Sequence, residues 1–412
     1  MNRSDPNVKE NIPFRLCSLD VFRGIAIAGM IIVNNPGNWQ HIYPALRHSK
    51  WNGCTPADMV FPFFLFIVGA SMSFSFTDYV TKGTYPGLNT YIKIIRRTLI
   101  LFLLGLLINF STILLKSFSG NYLFSLEELR IMGVLQRISL VYLTAALTII
   151  HLKPAKQWAL FFLILFGYWL MLNFLPLPGH TPGNLSQGQS LVPYIDRLIL
   201  TTPHMLNQGA FEPEGLLSSL PAYTSVLAGY FTGIWLKQKP AKTKTSLILI
   251  TFGLIITITG IIFNKVFAVN KTLWTSSFVI LTSGYAMILF AMCYELVEVR
   301  KHQKYTNFFK IMGRNSILAY LAAALTTRIL LNTAIEYNDK TISVYSWIYK
   351  NVFISFLDPT NASLVFSITY LILIWLLIYI INKKNLFIKI LDKNNLTYIY
   401  RSHIFRSQPK NH

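Results

Sequence analysis

Apolar runs long enough to cross a bilayer recur along the chain near residues 16–34, 59–77, 94–111, 131–150, 157–175, 215–236, 246–263, 274–294, 310–333 and 362–381. A hydrocarbon core about 30 Å thick takes roughly 20 helical residues, fewer where flanking side chains snorkel. The pattern predicts an all-α polytopic membrane protein of about ten transmembrane helices in one bundle, without internal repeat, low-complexity linker or soluble domain. An even number of spans puts both termini on one face.

Lys and Arg choose that face, because short cytoplasmic loops are enriched in them. The terminal side carries 25 and the opposite loops 10, with Arg137 and Arg314 inside spans. Both termini are therefore expected in the cytoplasm, with residues 1–14 a short tail, 15–382 the transmembrane domain and 383–412 a basic tail. The polar first fifteen residues lead into the first apolar run without a small-residue cleavage site, so that helix is expected to be retained. The expected location is a bacterial inner membrane.

Composition narrows the classes further. The 412 residues are 53% hydrophobic and 13% charged, about half the charged fraction of an average soluble chain. A net charge of +21 raises the question of nucleic acid. The basic residues, however, form short clusters between apolar runs, with no basic domain or nucleic-acid motif, so no such partner is expected. Cys17, Cys54 and Cys293 lie far apart without metal-ligand spacing. No disulfide framework and no metal site are expected.

Polar residues out of place carry the candidate chemistry, since ionisable groups at membrane depth are costly and commonly mark a site. Asp20 and Arg23 stand three apart on one face of the first helix. They suit a salt bridge at the interface, or an Arg23 facing an anionic ligand with its planar fork of donors. Two outside segments, 35–58 and 176–214, are too long for simple connections. The first holds His41 and His48 among Trp39, Tyr43 and Trp51, aromatics that also suit an interfacial belt. Asn34 and Asn35 end the first helix and Asp58 opens the second, so all can converge with His48 at the outer mouth. Imidazole is the usual general base for an amine or alcohol. The second segment holds Asp196 and Arg197, which suit mutual pairing, then His204, and then Glu214, which suits a helix cap more than a substrate contact. Gly215, Ser219, Ala222, Gly229 and Gly233 read as a close-packing face.

Several blocks in order are more specific than any one motif. They are Arg15 to Gly24, Val33-Asn34-Asn35-Pro36-Gly37, Arg47-His48-Ser49-Lys50-Trp51-Asn52-Gly53, and Ala57-Asp58-Met59-Val60-Phe61-Pro62-Phe63-Phe64, followed by GVLQR at 133–137, YIDR at 194–197, PEGLLSSLP at 213–221, KTLWTSSFV at 271–279 and GRNSILAY at 313–320. Across about residues 15–330 the chain resembles the heparan-alpha-glucosaminide N-acetyltransferase family. The resemblance implies transfer of acetyl from cytoplasmic acetyl-CoA, a donor substrate, to a glucosamine amine across the membrane. It implies His48 as active-site histidine, Asn34 as the asparagine closing the first catalytic helix, and His204 as the matching histidine of the second outer loop. Arg15 and Arg23, with Arg96 and Arg97, would hold the nucleotide phosphates. Asp20, Asn35, Trp51, Asp58 and Asp196 complete the expected binding residues. The chain reads as lacking the lysosomal enzyme's large lumenal N-terminal domain, which leaves the acceptor as an amino sugar or glycan amine. The other expected partners are the bilayer and a second copy in a homodimer. The alternative is a transporter of N-acetylglucosamine or a related sugar, which would favour repeat symmetry and broken helices.

Overall fold

The computed structural model describes residues 16–82, 85–118, 125–176, 181–206, 209, 211–337 and 339–384. Within them the spans are α1 Cys17–Asn34, α2 Pro56–Lys82, α3 Leu88–Phe118, α4 Val134–His151, α5 Pro154–Phe174, α7 Ser219–Lys237, α8 Thr243–Phe263, α9 Ser276–Tyr294 and α13 Pro359–Lys383, with α6 Leu191–Leu200 lying in the second long loop. Among the described residues eight helices are long and apolar enough to cross a membrane; α7 and the shorter apolar α11, Ser316–Asn332, occupy the other two apolar runs of the sequence. The terminal tails fall largely outside the described residues.

Burial divides the helices into two sets. α1, α2 and α9 are mostly enclosed, while α3, α5, α8 and α13 leave most of their surface open. The open faces carry Leu99, Leu103 and Leu107 on α3, Phe162 and Phe166 on α5, and Ile255, Ile258 and Ile262 on α8. Continuous apolar surface on several helices has no counterpart in a water-soluble monomer. The chain is an all-α polytopic membrane protein.

Missing side chains let the inner helices approach. A Cβ on Gly229 of α7 would lie 1.8 Å from the Phe66 carbonyl oxygen, and one on Gly69 of α2 would lie 1.7 Å from that of Val226. Gly229 and Gly233 therefore hold the close-packing face read from the sequence, and α7 lies against α2 along it. Gly215 differs, since it precedes the helix and makes room for the Asp196 carboxylate.

The ninth apolar run is divided. α10, Asn307–Arg314, ends at Asn315 (φ −117°, ψ 32°), and α11 starts again at Ser316. Just before the break, Gly24 and Gly313 let α10 and α1 approach, because a Cβ on either would meet the opposite backbone at 1.8 Å. α10 packs closely along α1 there. Beyond α11, the hairpin β1 Ala334–Tyr337 and β2 Lys340–Ser343 leads into α12 Val344–Ile348. Tyr345 Oη donates to the Pro36 carbonyl at 2.9 Å, so this excursion covers the C-terminal end of α1.

Candidate active site

The first long loop closes onto the start of α2 through one carboxylate. Pro56 occupies the first helical position, where its missing N–H costs nothing. The Asp58 amide donates to the Thr55 carbonyl at 3.0 Å, and the Asp58 carboxylate accepts from Thr55 N at 3.1 Å and Thr55 Oγ1 at 3.0 Å. It also accepts from Ser49 N at 3.0 Å and from His48 Nδ1 at 2.8 Å. Asp58 is 1% exposed, and these donors compensate its burial. A carboxylate only accepts, which assigns the proton to Nδ1 and leaves Nε2 with a free lone pair. His48 keeps 33% of its side-chain surface, enough for a reactant to reach it. An accessible imidazole on a buried carboxylate is an arrangement that can serve general-base chemistry.

The Trp51-Asn52-Gly53 run holds this dyad in place. Trp51 Nε1 donates to the Leu185 carbonyl at 2.8 Å, tying the two long loops together. Gly53 adopts φ +110°, a conformation open to glycine, and its amide reaches the Val269 carbonyl at 2.7 Å. Asn270 Nδ2 donates to Asn52 Oδ1 at 3.2 Å. The segment after α8 is thereby pressed against the histidine, and Lys271 Nζ lies 3.2 Å from His48 Nδ1 and 3.5 Å from Asp58 Oδ1. Burial pulls the Lys271 ammonium below the usual lysine range, against the opposing carboxylates of Asp58 and Glu214. Cys54 is no rival nucleophile, because burial, with Asp58 adding to it, pushes its thiol up to about 12.

A second polar cluster lies behind Lys271. Arg130 Nε donates to Glu212 Oε2 at 3.0 Å, and its Nη2 reaches Glu212 Oε1 and, at 2.6 Å, Glu214 Oε2. Burial opposes the Glu214 charge, but Arg130 and Arg137 hold its carboxyl below the usual range. Glu214 is thus an ion-pair partner of Arg130, and the N-cap position of α7 is held by Ser218 instead. Arg137, fully buried, donates from Nη2 to the Gly215 carbonyl at 3.2 Å and to Ser218 Oγ, and stacks 4.9 Å from the Trp274 ring. Asp196 accepts from Leu216 N at 2.8 Å, while Arg197 donates to the Gly188 carbonyl at 3.1 Å. Burial pushes the Asp196 carboxyl up to about 6. His204 Nδ1 bonds the Leu129 carbonyl at 2.8 Å, and its own carbonyl accepts from Ile131 N at 3.1 Å. It braces the segment that carries Arg130.

The two asparagines part company at the end of α1. Asn34 is exposed, with no side-chain hydrogen bond among the described residues, whereas Asn35 is buried, donates to the Ile31 carbonyl at 2.7 Å and accepts from Thr327 Oγ1. Asn35 locks α1 to α11. At the other end of α1, Arg23 Nη1 lies 3.4 Å from Asp20 Oδ1, its Nη2 donates to Ser71 Oγ at 2.6 Å, and Arg314 Nε lies 3.6 Å from Asp20 Oδ2. Arg97 sits 4.3 Å over the Tyr142 ring and Arg96 is exposed, while Arg15 lies outside the described residues. The structure therefore brings His48 and Asp58 together, places Asp20 with Arg23, and separates the two groups by most of a span. Sequence reasoning missed Lys271, Arg130 and Glu212 as site members.

Comparison with known proteins follows the same residues. The catalytic model described as heparan-alpha-glucosaminide N-acetyltransferase matches residues 15–262. Heparan-alpha-glucosaminide N-acetyltransferase of Homo sapiens is 33% identical over 364 residues, covering 75% of this chain and 53% of that protein. That of Mus musculus is 31% identical over 372 residues, covering 77% and 54%. The chain spans about half the length of the curated relatives it matches. With the catalytic model spanning more than half of its length, the chain belongs to the heparan-alpha-glucosaminide N-acetyltransferase family.

Proposed function

We propose that the chain is a transmembrane N-acetyltransferase that moves acetyl from acetyl-CoA, entering at the Arg23 end, to the amine of an amino sugar or glycan at the His48 end. The observation that carries this reading is the His48–Asp58 pair at 2.8 Å, an accessible imidazole on a buried carboxylate. In this reading the membrane is a bacterial inner membrane, and the charge asymmetry of the loops supports a cytoplasmic Arg23 end and a periplasmic His48 end.

In this reading the amine nitrogen forms a bond to the thioester carbonyl carbon, and the carbon–sulfur bond breaks to release the CoA thiolate. His48 Nε2 takes the amine proton, while Asp58 holds the ring and stabilises the imidazolium that forms. Asn34, exposed at the end of α1, is a donor for the developing oxyanion. From Arg23 to Asn34 the helix rises about 17 Å, the distance that an extended donor arm has to bridge. Arg23, Ser71 and Arg314 offer donors for phosphate at the start of that path, with Asp20 orienting both guanidinium groups.

Replacing Arg23 by Ala is expected to weaken acetyl-CoA binding about tenfold or more, and replacing it by Lys to weaken it less, because a bidentate fork is lost in both but the charge only in the first. Isothermal titration of the detergent-solubilised protein measures this, and equal affinities would move the donor site elsewhere. The reading as a whole is tested by CoA release from acetyl-CoA with and without glucosamine. Amine-dependent release supports it; release indifferent to the amine counts against it.

A further inference from the structure

One cation stands in contact with both halves of the dyad. We infer that Lys271 is a positioning residue that neutralises Asp58, so that the carboxylate can hold His48 in place without locking it as an imidazolium. This rests on the reading of His48 as the base.

The geometry is a shared oxygen. Asp58 Oδ1 takes the His48 Nδ1 hydrogen bond at 2.8 Å and faces Lys271 Nζ at 3.5 Å. Lys271 Nζ is also 3.2 Å from Nδ1, and beside a protonated Nδ1 two donors face each other, so the ammonium acts on the ring through its charge and opposes a second proton at Nε2. A carboxylate alone beside an imidazole favours the charged ring, whereas a neighbouring cation disfavours it. A base has to be unprotonated before it acts. Lys271 supplies that second influence from the segment Val269 to Thr275, which the Asn52–Asn270 and Gly53–Val269 bonds hold against the histidine.

The other charged groups around the pair are accounted for. Glu214 lies within electrostatic reach of Lys271 from the loop before α7 and is itself held by Arg130. The Cys54 thiol, raised to about 12, contributes no charge near neutrality. On the histidine's own segment, Lys50 is exposed and Arg47 Nη2 turns to the carbonyls of Gln40 and Ile42, each at 3.4 Å.

The test compares Lys271→Met with Lys271→Arg, reading the His48 imidazole titration by NMR, assigned with His48→Gln, and the pH profile of kcat/KM. Removing the cation favours the imidazolium, so His48 is expected to titrate about one pH unit or more higher in the Met variant. The acid limb of the profile then moves to higher pH by the same amount, and activity returns above the shifted limb. The Arg variant should restore the original positions. Should Lys271→Met fail to fold, Lys271→Gln gives the same readout. An unchanged His48 titration in a folded, charge-free variant overturns the inference whatever the activity does. A shifted titration with an unmoved kcat/KM profile instead upholds the effect of Lys271 on the ring and overturns His48 as the base.

Discussion

Replacing His48 by Ala is expected to lower acetyl transfer by about 10²–10⁴ while leaving the protein folded and able to bind acetyl-CoA. The fold should survive because the side chain is a third exposed and Asp58 keeps Ser49 N, Thr55 N, Thr55 Oγ1 and Lys271 after the ring is gone. Asp58→Asn should be comparably damaging for a different reason: the amide can donate to Nδ1, and the tautomer that exposes a basic Nε2 is lost. A loss far beyond that range in His48→Ala, with acetyl trapped on His48 in the wild type, would indicate a covalent carrier in place of a base. Single-turnover rates with labelled acetyl-CoA separate the two routes. Near-normal turnover in the alanine variant would remove His48 from the chemistry and direct attention to His204 or His41.

Replacing Arg130 by Ala is expected to have the largest effect on stability. Glu212 is 1% exposed and takes two of the Arg130 nitrogens, and Glu214 takes one of them as well. Removing one partner of a buried pair leaves an uncompensated charge, at a cost of about 3–5 kcal/mol. The amide of Leu206 donates to Glu212 Oε2 at 2.9 Å, so the damage extends into the second outer loop. Thermal unfolding followed by tryptophan fluorescence should show a large fall in Tm, with Arg130→Met plus Glu212→Leu recovering part of it. An unchanged Tm in Arg130→Ala would mean that water already screens the cluster.

The long apolar helices were legible in the sequence because backbone polar groups in lipid must be satisfied inside each segment, and that demand writes itself as long apolar runs. The break at Asn315 was not, since the apolar run continues through it and the close approach at Gly24 and Gly313 joins segments far apart in the sequence. His48 and Asp58 lie ten residues apart, close enough for their convergence at one mouth to be read from order alone. Lys271 is 223 residues from His48, and Glu212 is 82 from Arg130. Nothing in local spacing tells a lysine following a helix that it faces a carboxylate rather than water. The block that begins at Lys271 signalled resemblance without revealing its contact. Asn34 and Asn35 show the converse limit, for adjacent residues of one type point to opposite fates, one exposed and one buried against Thr327.

Transfer across the bilayer can be measured directly in sealed proteoliposomes of uniform orientation. With labelled acetyl-CoA on the Arg23 face only and glucosamine on the His48 face only, the account predicts labelled N-acetylglucosamine on the His48 face and free CoA retained on the Arg23 face, both lost in His48→Ala. No labelled product and no released CoA, together with passage across the bilayer of intact N-acetylglucosamine supplied in a parallel experiment, would contradict it and identify a transporter.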